Sequence, residues 1–382
     1  MSTDCNATVS ADTFQKESDF PKEVKDALRA IRKACEVTRK VQSQMIQTNK
    51  SDEVTQTKVD KSPVTIADYA AQAIILKELR ESFPEDVFLA EESSNGLQED
   101  LETGDILASK IQELTGTETK AALFDAIDIG KSYYLHRSNQ NDPNRTPDRF
   151  WCLDPIDGTK GFLRKGQYCI ALALLERGSP TIGILACPNL MVGNLKDNNK
   201  HGEDSLGCIF VACKGKGCYE IGLDEALSHF HRLGYRNDSM LYEDPVKARF
   251  CVAVEQGFND PDGTTIAIGK VLHGGLDSEG EILHCTRMDS QVKYGVIARG
   301  DAEFYVRLPK NHKDNIWDVA AGVLCLEEVG GKVTDTTGNP LDFSCGGKLP
   351  TVGILGARTE KLHESLLQGY TTAIQSIRLQ DE

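Results

Sequence analysis

One short segment, Asp154-Pro-Ile-Asp-Gly-Thr159, constrains this chain more than any other. It follows the apolar residues 150–153, which predict a short buried strand. Two carboxylates three positions apart at the end of such a strand can converge on one point, because Gly158 permits a sharp turn of the backbone. Oxygen ligands in this arrangement suit a hard cation such as Mg²⁺, and the exposed carbonyl of Ile156 offers a further oxygen.

Three other interpretations of this segment fit it to different degrees. A calcium-binding EF-hand loop needs oxygen-bearing side chains at alternating positions before its glycine, and Pro155 breaks that pattern. The haloacid dehalogenase phosphatases carry a nucleophilic aspartate two positions before the aspartate of their D-G-T motif, and that position is again Pro155. An Asx turn that merely ends the strand stays open as the alternative without a function.

Further acidic residues stand at comparable places in the chain. Glu91 and Glu92 follow a predicted strand, Asp68 lies in the first turn of a predicted helix, and Asp318 lies at the start of another. Taken singly, each is explained by solvation or by the preference of acids for a helix N-terminus. Buried together, carboxylates repel one another strongly unless cations neutralise them, so a cluster of them would indicate metal ions and a phosphate substrate.

Apolar periodicity predicts two domains, 1–248 and 249–382. In the first, an amphipathic helix follows Pro21, Thr65 caps a second helix, and several neighbouring strands pair antiparallel. Between Ser93 and Arg149 the pattern is weak, and its polar part from Ser138 to Arg149 is typical of a surface loop or lid. The elements predicted for the second domain are helices at 290–299, at 317–329 and from 359, with strands at 250–254, at 303–307 and near 333 and 352.

The charge balance excludes some classes of partner. The chain has 43 Lys and Arg against 58 Asp and Glu, a formal net charge of −15, which argues against coating a nucleic acid or an anionic membrane. Its longest apolar runs fall far short of the ~20 residues of a transmembrane helix, and its N-terminus lacks the pattern of a signal peptide. We therefore expect a cytoplasmic monomer that acts on a small molecule, with no nucleic-acid polymer and no membrane as partner.

Twelve cysteines are scattered singly along the chain, with no C-x-x-C pair. In a chain of this length the pattern favours reduced, mostly buried thiols over disulfides or a zinc site.

Several motifs resemble those of the lithium-sensitive, magnesium-dependent phosphomonoesterases, the inositol monophosphatase-like superfamily. Residues 91–94, 151–163 and 317–322 are similar to its three signatures, and 62–68 to a fourth element. The resemblance runs from about residue 22 to 375. Within the superfamily the chain resembles the 3′(2′),5′-bisphosphate nucleotidases more closely than the inositol monophosphatases, on the residues of 160–164, 289–294 and 305–309.

The resemblance implies a fold and a set of roles. The fold is a layered αβαβα, sugar-phosphatase-like arrangement of α+β or α/β class, with a mostly antiparallel N-terminal sheet that carries most metal ligands and a smaller C-terminal α/β domain that contacts the nucleotide. Asp68 and Thr159 match the pair that activates water. The metal ligands that it implies are Glu91, Asp154, the carbonyl of Ile156, Asp157 and Asp318, and the substrate contacts are Thr159, Ser290, Lys293, Arg307 and Asp318.

The implied reaction is hydrolysis of the 3′-phosphate of 3′-phosphoadenosine 5′-phosphate (PAP) to AMP and phosphate, a step of sulfur metabolism, with two or three Mg²⁺ ions and sensitivity to Li⁺. The sulfated nucleotide PAPS is a further expected substrate. An inositol polyphosphate phosphatase and a catalytically silent nucleotide sensor stay as alternatives.

Two local features bear on the nucleotide. Residues 287–313 carry six Lys or Arg against three acids, so this window is basic inside an acidic chain. Its overlap with the implied nucleotide contacts favours a pocket for the 5′-phosphate over a merely solvated basic face. Phe258 stands where relatives have a nucleotide-contacting histidine, which makes recognition of the adenine the weakest part of the resemblance.

Overall fold

The N-terminal helices form as their sequence patterns predict. The computed structural model describes residues 20–48, 55–57, 63–99, 101–138, 146–193, 206–224, 230–234, 243–254, 260, 263–310 and 312–379. Helix α1 (Lys22–Thr48) begins directly after Pro21, and α2 (Ile66–Ser82) begins after Thr65, whose side chain accepts the Ala67 N–H. Strands β1 (Thr55–Thr57) and β2 (Pro63–Thr65) pair antiparallel just before α2.

A seven-stranded sheet forms the larger half of the fold, and its strands lie in chain order from β3 to β9. Strands β3 and β4 are parallel, and every later pair is antiparallel. This agrees with the mostly antiparallel sheet that the sequence predicts. The strands are β3 (Val87–Ala90), β4 (Arg149–Asp157), β5 (Cys169–Glu176), β6 (Ser179–Met191), β7 (Leu206–Cys213), β8 (Gly217–Gly222) and β9 (His231–Arg232).

The segment 93–149, where the sequence pattern is weak, is mostly helical among the residues that the structure describes. The surface loop or lid predicted for its polar part, 138–149, stays a prediction, because residues 139–145 lie outside the described part. The helices of this segment are short and bury only a few side chains each, such as Leu123 and Ile127, against α2 and one another. So narrow an apolar stripe gives little periodic signal. The elements are α3 (Asn95–Glu99), α4 (Leu101–Thr115), α5 (Lys120–Asp128), a 3₁₀ turn (Ile129–Lys131) and α6 (Ser132–Ser138). Helix α7 (Thr159–Leu163) follows β4.

The C-terminal half carries a mixed five-stranded sheet in the order β11-β10-β12-β14-β13. Strands β11, β10 and β12 are parallel, whereas β14 pairs antiparallel with both of its neighbours. The elements are β10 (Phe250–Val252), α8 (Thr264–His273), β11 (Cys285–Arg287), α9 (Val292–Arg299), β12 (Phe304–Arg307), a 3₁₀ turn (Ile316–Asp318), α10 (Ala320–Glu327), β13 (Lys332–Thr334), β14 (Ile354–Ala357) and α11 (Glu360–Arg378).

Two helices of this half differ from their predicted bounds. The helix predicted at 290–299 begins only at Val292, because Ser290 has a φ of 62° in the left-handed region that a helix cannot continue. The helix predicted at 317–329 is a 3₁₀ turn followed by α10, because Val319, with a φ of −141°, lies between them outside helical geometry.

The two sheets and the helices stack in five layers. Alternate residues of β4 face opposite sides, with Trp151 and Leu153 packed beneath α1 and α2, and Phe150 and Cys152 packed toward α9 and α10. Helices α9 and α10 also meet one face of the five-stranded sheet, and α8 and α11 cover its other face. This is the αβαβα order, so the predicted layered fold is confirmed.

Two further sequence predictions can be compared with the described residues. Every cysteine among them is a free thiol, and most are buried. No helix that the structure describes has both the length and the apolar content needed to cross a bilayer.

Candidate active site

Glu91 and Asp154 leave the seven-stranded sheet at the same edge. Strands β3 and β4 are parallel with Ala90 opposite Leu153, and the Glu91 N–H donates to the Leu153 carbonyl at 3.2 Å. The next residue on each strand is therefore one of the two predicted metal ligands. Parallel strands bring their carboxyl ends together, so neighbouring strand ends can share a ligand.

The Asp154–Asp157 segment departs from regular pairing with β5. Asp154 lies opposite Ala171 and Asp157 opposite Cys169, with a register shift between them. Inside this bulge the Asp154 carboxylate accepts the Ile156 N–H at 3.1 Å, so the Asx turn considered above is present. The bulge turns both carboxylates to one side of the strand end, as bulges near active sites commonly do.

Gly158 is required at the next position. Its φ of 90° is strained for any residue with a Cβ, and a Cβ there would lie 2.9 Å from that of Ser290. This close approach places the start of α7 against the turn that precedes α9. The Thr159 hydroxyl donates to the Ile156 carbonyl at 3.3 Å, so two predicted site atoms are direct neighbours.

Asp318 reaches the same region from the C-terminal half. It ends a 3₁₀ turn that packs against β4 and β5, and its Oδ2 accepts the backbone N–H and the side-chain amide of Asn315 at 3.2 and 3.3 Å. These bonds fix one carboxylate oxygen.

Four carboxylates, those of Glu91, Asp154, Asp157 and Asp318, lie near one another at this point. The pKa of Asp154, which is 2% exposed, lies well above its usual value because of burial first and then the charges of Glu91, Asp157 and Asp318. Burial also raises the pKa of Asp318 to about 8, with Arg307 opposing the rise and Asp157 and Glu91 adding to it. One buried and three partly buried carboxylates therefore lie close together here.

The donor set suits a divalent metal ion, although the side chains do not form a finished coordination shell. Among the described residues, no three His, Cys, Asp or Glu side chains stand as a ready-made metal site. Buried carboxylates that repel one another need positive charge, and hard oxygen donors select ions such as Mg²⁺ over soft metals. The residues therefore fit the predicted metal, and their individual roles as ligands stay predictions.

Asp68 is held at the start of α2. Its Oδ2 accepts the backbone N–H of Thr65 at 2.9 Å and the Thr65 hydroxyl at 2.5 Å, which completes a capping box. Helix α7, which begins at Thr159, packs beside β2, the strand that leads into α2. The two residues predicted to activate water thus lie on neighbouring elements, and their pairing stays a prediction.

Ser290 and Lys293 form one structural unit in the turn before α9. The Lys293 ammonium donates to the carbonyls of Ser290 and Met288 at 2.7 and 3.3 Å. Its side chain is buried, which lowers its pKa, while the nearby Asp157 opposes that shift. A buried cation thus lies next to the acidic cluster.

Arg307 lies at the end of β12 and is held by Asp314. The guanidinium bonds Asp314 through Nε at 2.7 Å and Nη2 at 2.5 Å. Burial lowers the pKa of Arg307, but the charges and hydrogen bonds of its neighbours, led by the charge of Asp314, together outweigh burial, and the net pKa is raised. Asp314, 1% exposed, was not among the predicted residues, although its place four positions before Asp318 offered a hint.

Two buried glutamines also escaped sequence reasoning. Gln72, one helical turn after Asp68, donates to the Glu92 carbonyl at 2.7 Å and accepts the Glu92 N–H at 3.0 Å. The Gln291 N–H donates to the Asp157 carboxylate at 2.6 Å. Amides carry no charge or motif of their own, and only their places beside predicted residues could have pointed to them. Phe258, at the position that departs from relatives, lies outside the described residues.

An open cleft of about 360 Å³ adjoins the acidic cluster. Its walls include Glu91, Lys131, Tyr134, Leu135 and Trp317. The Trp317 indole N–H is buried and has no hydrogen-bond partner among the described residues. The cluster is therefore open to solvent on the side of Glu91.

The comparisons with known proteins agree with this arrangement. Residues 21–375 match the inositol monophosphatase family over nearly the whole chain. The chain belongs to this family. The superfamily that its motifs predict is therefore confirmed, and members of the family depend on metal ions.

Curated relatives share much of the sequence. The chain is 37% identical to a 3′(2′),5′-bisphosphate nucleotidase 2 of Candida albicans over 88% of its own length and 93% of the relative's. It is 36% identical to the 3′(2′),5′-bisphosphate nucleotidase of Schizosaccharomyces pombe, over 94% and 97% of the two chains.

Solved structures support the fold alone, because their sequences are distant. The IMPase of Thermotoga maritima has a TM-score of 0.56 at 18% identity, with 94% of this chain and 100% of that one covered. CysQ of Bacteroides thetaiotaomicron, described as a bacterial member of the inositol monophosphatase family, has a TM-score of 0.54 at 21% identity, with 89% and 99% covered.

Proposed function

We propose that this protein is a 3′(2′),5′-bisphosphate nucleotidase that hydrolyses the 3′-phosphate of PAP to AMP and phosphate, with PAPS as a second substrate. The observation that carries the proposal is that four carboxylates lie near two cations, the buried Lys293 and the partly buried Arg307. A nucleoside bisphosphate has two phosphates: one would lie at the metal ions held by the carboxylates, and the other would lie against the two cations. The relatives that share 36–37% of the sequence carry the same activity in their names.

Each group has a distinct task in this proposal. Glu91, Asp154, Asp157, Asp318 and the Ile156 carbonyl would hold two or three Mg²⁺ ions. The ions supply charge neutralisation and lower the pKa of water when bound. Thr159 orients the attacking water, since its hydroxyl can donate and accept, and Asp68 accepts the proton that is released.

Lys293, Ser290 and Arg307 bind the 5′-phosphate. Charge-assisted hydrogen bonds of this kind contribute ~1.5–3 kcal/mol each. Arg307 stays cationic at all working pH values, and its planar guanidinium presents several donors in a geometry that suits a phosphate. Thr159 contacts the 3′-phosphate at the other end of the substrate, and Asp318 would bind the substrate on that side through the metal ions that it helps to hold.

The deciding experiment measures kcat/KM for phosphate release from adenosine 3′,5′-bisphosphate, 3′-AMP and inositol 1-phosphate, with and without Mg²⁺. We expect kcat/KM for the bisphosphate to exceed that for 3′-AMP by roughly 10–100-fold, because only the bisphosphate can make the charged contacts to the 5′-phosphate. Lys293→Met, which keeps the side-chain stem beneath the 288–290 turn, should narrow that ratio.

Lys313→Met is the matched control, because Lys313 is an exposed lysine of the same basic window. Its ratio of bisphosphate to 3′-AMP should equal that of the wild type. Equal kcat/KM values for all three substrates in the wild type would refute the nucleotidase and favour an inositol phosphate phosphatase. Nucleotide binding without phosphate release would favour the silent sensor.

Two properties of the whole protein belong to the same proposal. Free thiols throughout the described cysteines fit a reducing compartment, which supports a cytoplasmic location. A monomeric state and sensitivity to Li⁺ are proposed with it.

A further inference from the structure

Gln291 is a buried link between the two halves of the acidic cluster. It lies in the turn between β11 and α9 and is 2% exposed. Asp157 comes from the seven-stranded sheet and Asp318 from the C-terminal half, and the backbone or side chain of Gln291 bonds next to each.

The first contact is with Asp157 itself. The Gln291 N–H donates to Asp157 Oδ2 at 2.6 Å, and this bond lowers the pKa of that carboxyl against the effect of its burial. The N–H points there because the preceding residue, Ser290, adopts the left-handed φ of 62°. One oxygen of Asp157 is therefore fixed by the backbone.

The second contact is with the peptide that precedes Asp318. The Gln291 side-chain amide donates to the Trp317 carbonyl at 2.8 Å, and the N–H on the other side of the same peptide, that of Asp318, donates to the Asn315 carbonyl at 3.1 Å. A peptide plane bonded on both sides cannot rotate freely. The backbone direction from which the Asp318 side chain leaves is therefore set in part by Gln291.

The third contact ties the same amide to α10. Gln291 Oε1 accepts the Gly322 N–H at 3.1 Å, which satisfies a donor in the first turn of that helix. Both the NH2 group and the oxygen of the amide are thus hydrogen-bonded. These two bonds fix the orientation of the amide and link it to the 3₁₀ turn and to α10. Gln291 bonds backbone on the C-terminal side and the Asp157 carboxylate on the N-terminal side.

We propose that Gln291 is a positioning residue that sets the separation of the Asp157 and Asp318 carboxylates, and with it the affinity of the site for Mg²⁺. It acts through a peptide bond and a backbone N–H and touches neither substrate nor reacting atoms. The inference rests on the proposed function only in that Mg²⁺ is the ion used. Residues that orient metal ligands typically contribute about 10–100-fold to metal affinity.

The test is titration calorimetry of Mg²⁺ into metal-stripped protein, for wild type, Gln291→Met and Gln291→Glu. Met keeps the length of the side chain and removes both of its bonds. Glu keeps an acceptor for Gly322 and places a carboxylate against the Trp317 carbonyl. We expect the Kd for Mg²⁺ to rise about 10–100-fold in both variants. At saturating Mg²⁺, KM for adenosine 3′,5′-bisphosphate should stay at the wild-type value and most of kcat should return.

Gln42→Met is the matched control for stability. Gln42 is also a buried glutamine with one donated bond, to the Phe162 carbonyl at 2.9 Å, and one accepted bond, from the Asn189 amide at 3.0 Å. We expect it to lower Tm as Gln291→Met does and to leave the Kd for Mg²⁺ unchanged. A merely structural role for Gln291 would give the same result at both positions.

The proposal is overturned if Gln291→Met and Gln291→Glu bind Mg²⁺ with the Kd of the wild type. It is also overturned if Gln42→Met raises the Kd for Mg²⁺ as much as the Gln291 variants do. Should Gln291→Met fail to fold, the Kd of Gln291→Glu decides alone. A wild type that binds Mg²⁺ but releases no phosphate from the bisphosphate refutes the nucleotidase, while the calorimetric difference between variants would still support the role of Gln291. A wild type without Mg²⁺ binding refutes both.

Discussion

Carboxylates of like charge lie together on the N-terminal side of the site, whereas the cations on the C-terminal side have carboxylate or carbonyl partners of their own. Glu91, Asp154 and Asp157 end neighbouring strand segments as like charges, and burial, followed by the repulsion of the neighbouring carboxylates, raises the pKa of Asp154. Across the site, Arg307 has Asp314 as its own carboxylate partner, and Lys293 donates to two carbonyls. The N-terminal side is stabilised by a bound metal cation, which offsets the repulsion between its carboxylates. The C-terminal side needs no bound ion, because its cations already have partners within the protein.

This difference teaches where stability and activity conflict. A cluster of like charges destabilises the folded protein until a cation binds there. Such local destabilisation is typical of active sites. A compensated cation contributes to stability before any substrate binds. Substitutions on the two sides should therefore change the stability of the metal-free protein in opposite directions.

The largest effect is expected on the N-terminal side, where the carboxylates of like charge lie together. Asp154→Asn should lower kcat by more than about 10⁴-fold, because a charged ligand of a group that acts as a unit is lost. In the metal-free protein the same change should raise Tm by about 1–3 °C, since it removes one of the repelling charges. The measurements are phosphate release and thermal unfolding in chelator. A lower Tm in chelator would contradict the comparison, and retained Mg²⁺-dependent activity would contradict the metal site.

A smaller effect is expected for Thr159→Val, which leaves the charges in place. The loss of a hydroxyl that positions water should lower kcat by about 10²–10⁴-fold, while the Kd for Mg²⁺ and the metal-free Tm stay unchanged. Steady-state kinetics with calorimetry separates the two. Thr181→Val is the matched control, because the Thr181 hydroxyl also donates to a carbonyl, that of Leu174, at 3.3 Å and lies on β6. If both variants lose activity equally, the role of Thr159 is refuted.

The smallest effect is expected on the C-terminal side, where Arg307 is paired with Asp314. Asp314→Asn should lower the free energy of unfolding by about 2–3 kcal/mol, because Arg307 keeps its charge without its partner. It should also raise KM for the bisphosphate, since the guanidinium is no longer held in place. Urea unfolding and steady-state kinetics measure the two effects.

Glu303→Gln is the control for this pair. Glu303, 0% exposed, bonds Arg249 near the opposite end of β12. It should destabilise the protein without changing KM. A stabilising effect of Asp314→Asn in the metal-free protein would remove the contrast between the two sides of the site.

Local signals predicted most of the secondary structure. Thr65 caps α2, Pro21 precedes α1, and Thr359 caps α11, because each signal acts within one helical turn of the element that it begins. The strands of the seven-stranded sheet are continuous apolar runs for the simple reason that both faces are covered. The helices of 93–149 gave no such signal, and the proposed division at residue 248 stays a prediction.

The sequence by itself determined the chemistry of the site: strand-end carboxylates, a hydroxyl after Gly158 and a basic window are residue types at fixed spacings. Only the tertiary structure decided how these charges are balanced. Packing, and not the spacing of residues in the sequence, decides three contacts. Arg307 pairs with Asp314, Lys293 donates to the carbonyls of the 288–290 turn, and Gln291 donates to the Trp317 carbonyl. Neutral amides and backbone carbonyls are found in every sequence, so they become recognisable partners only once the chain has folded around them.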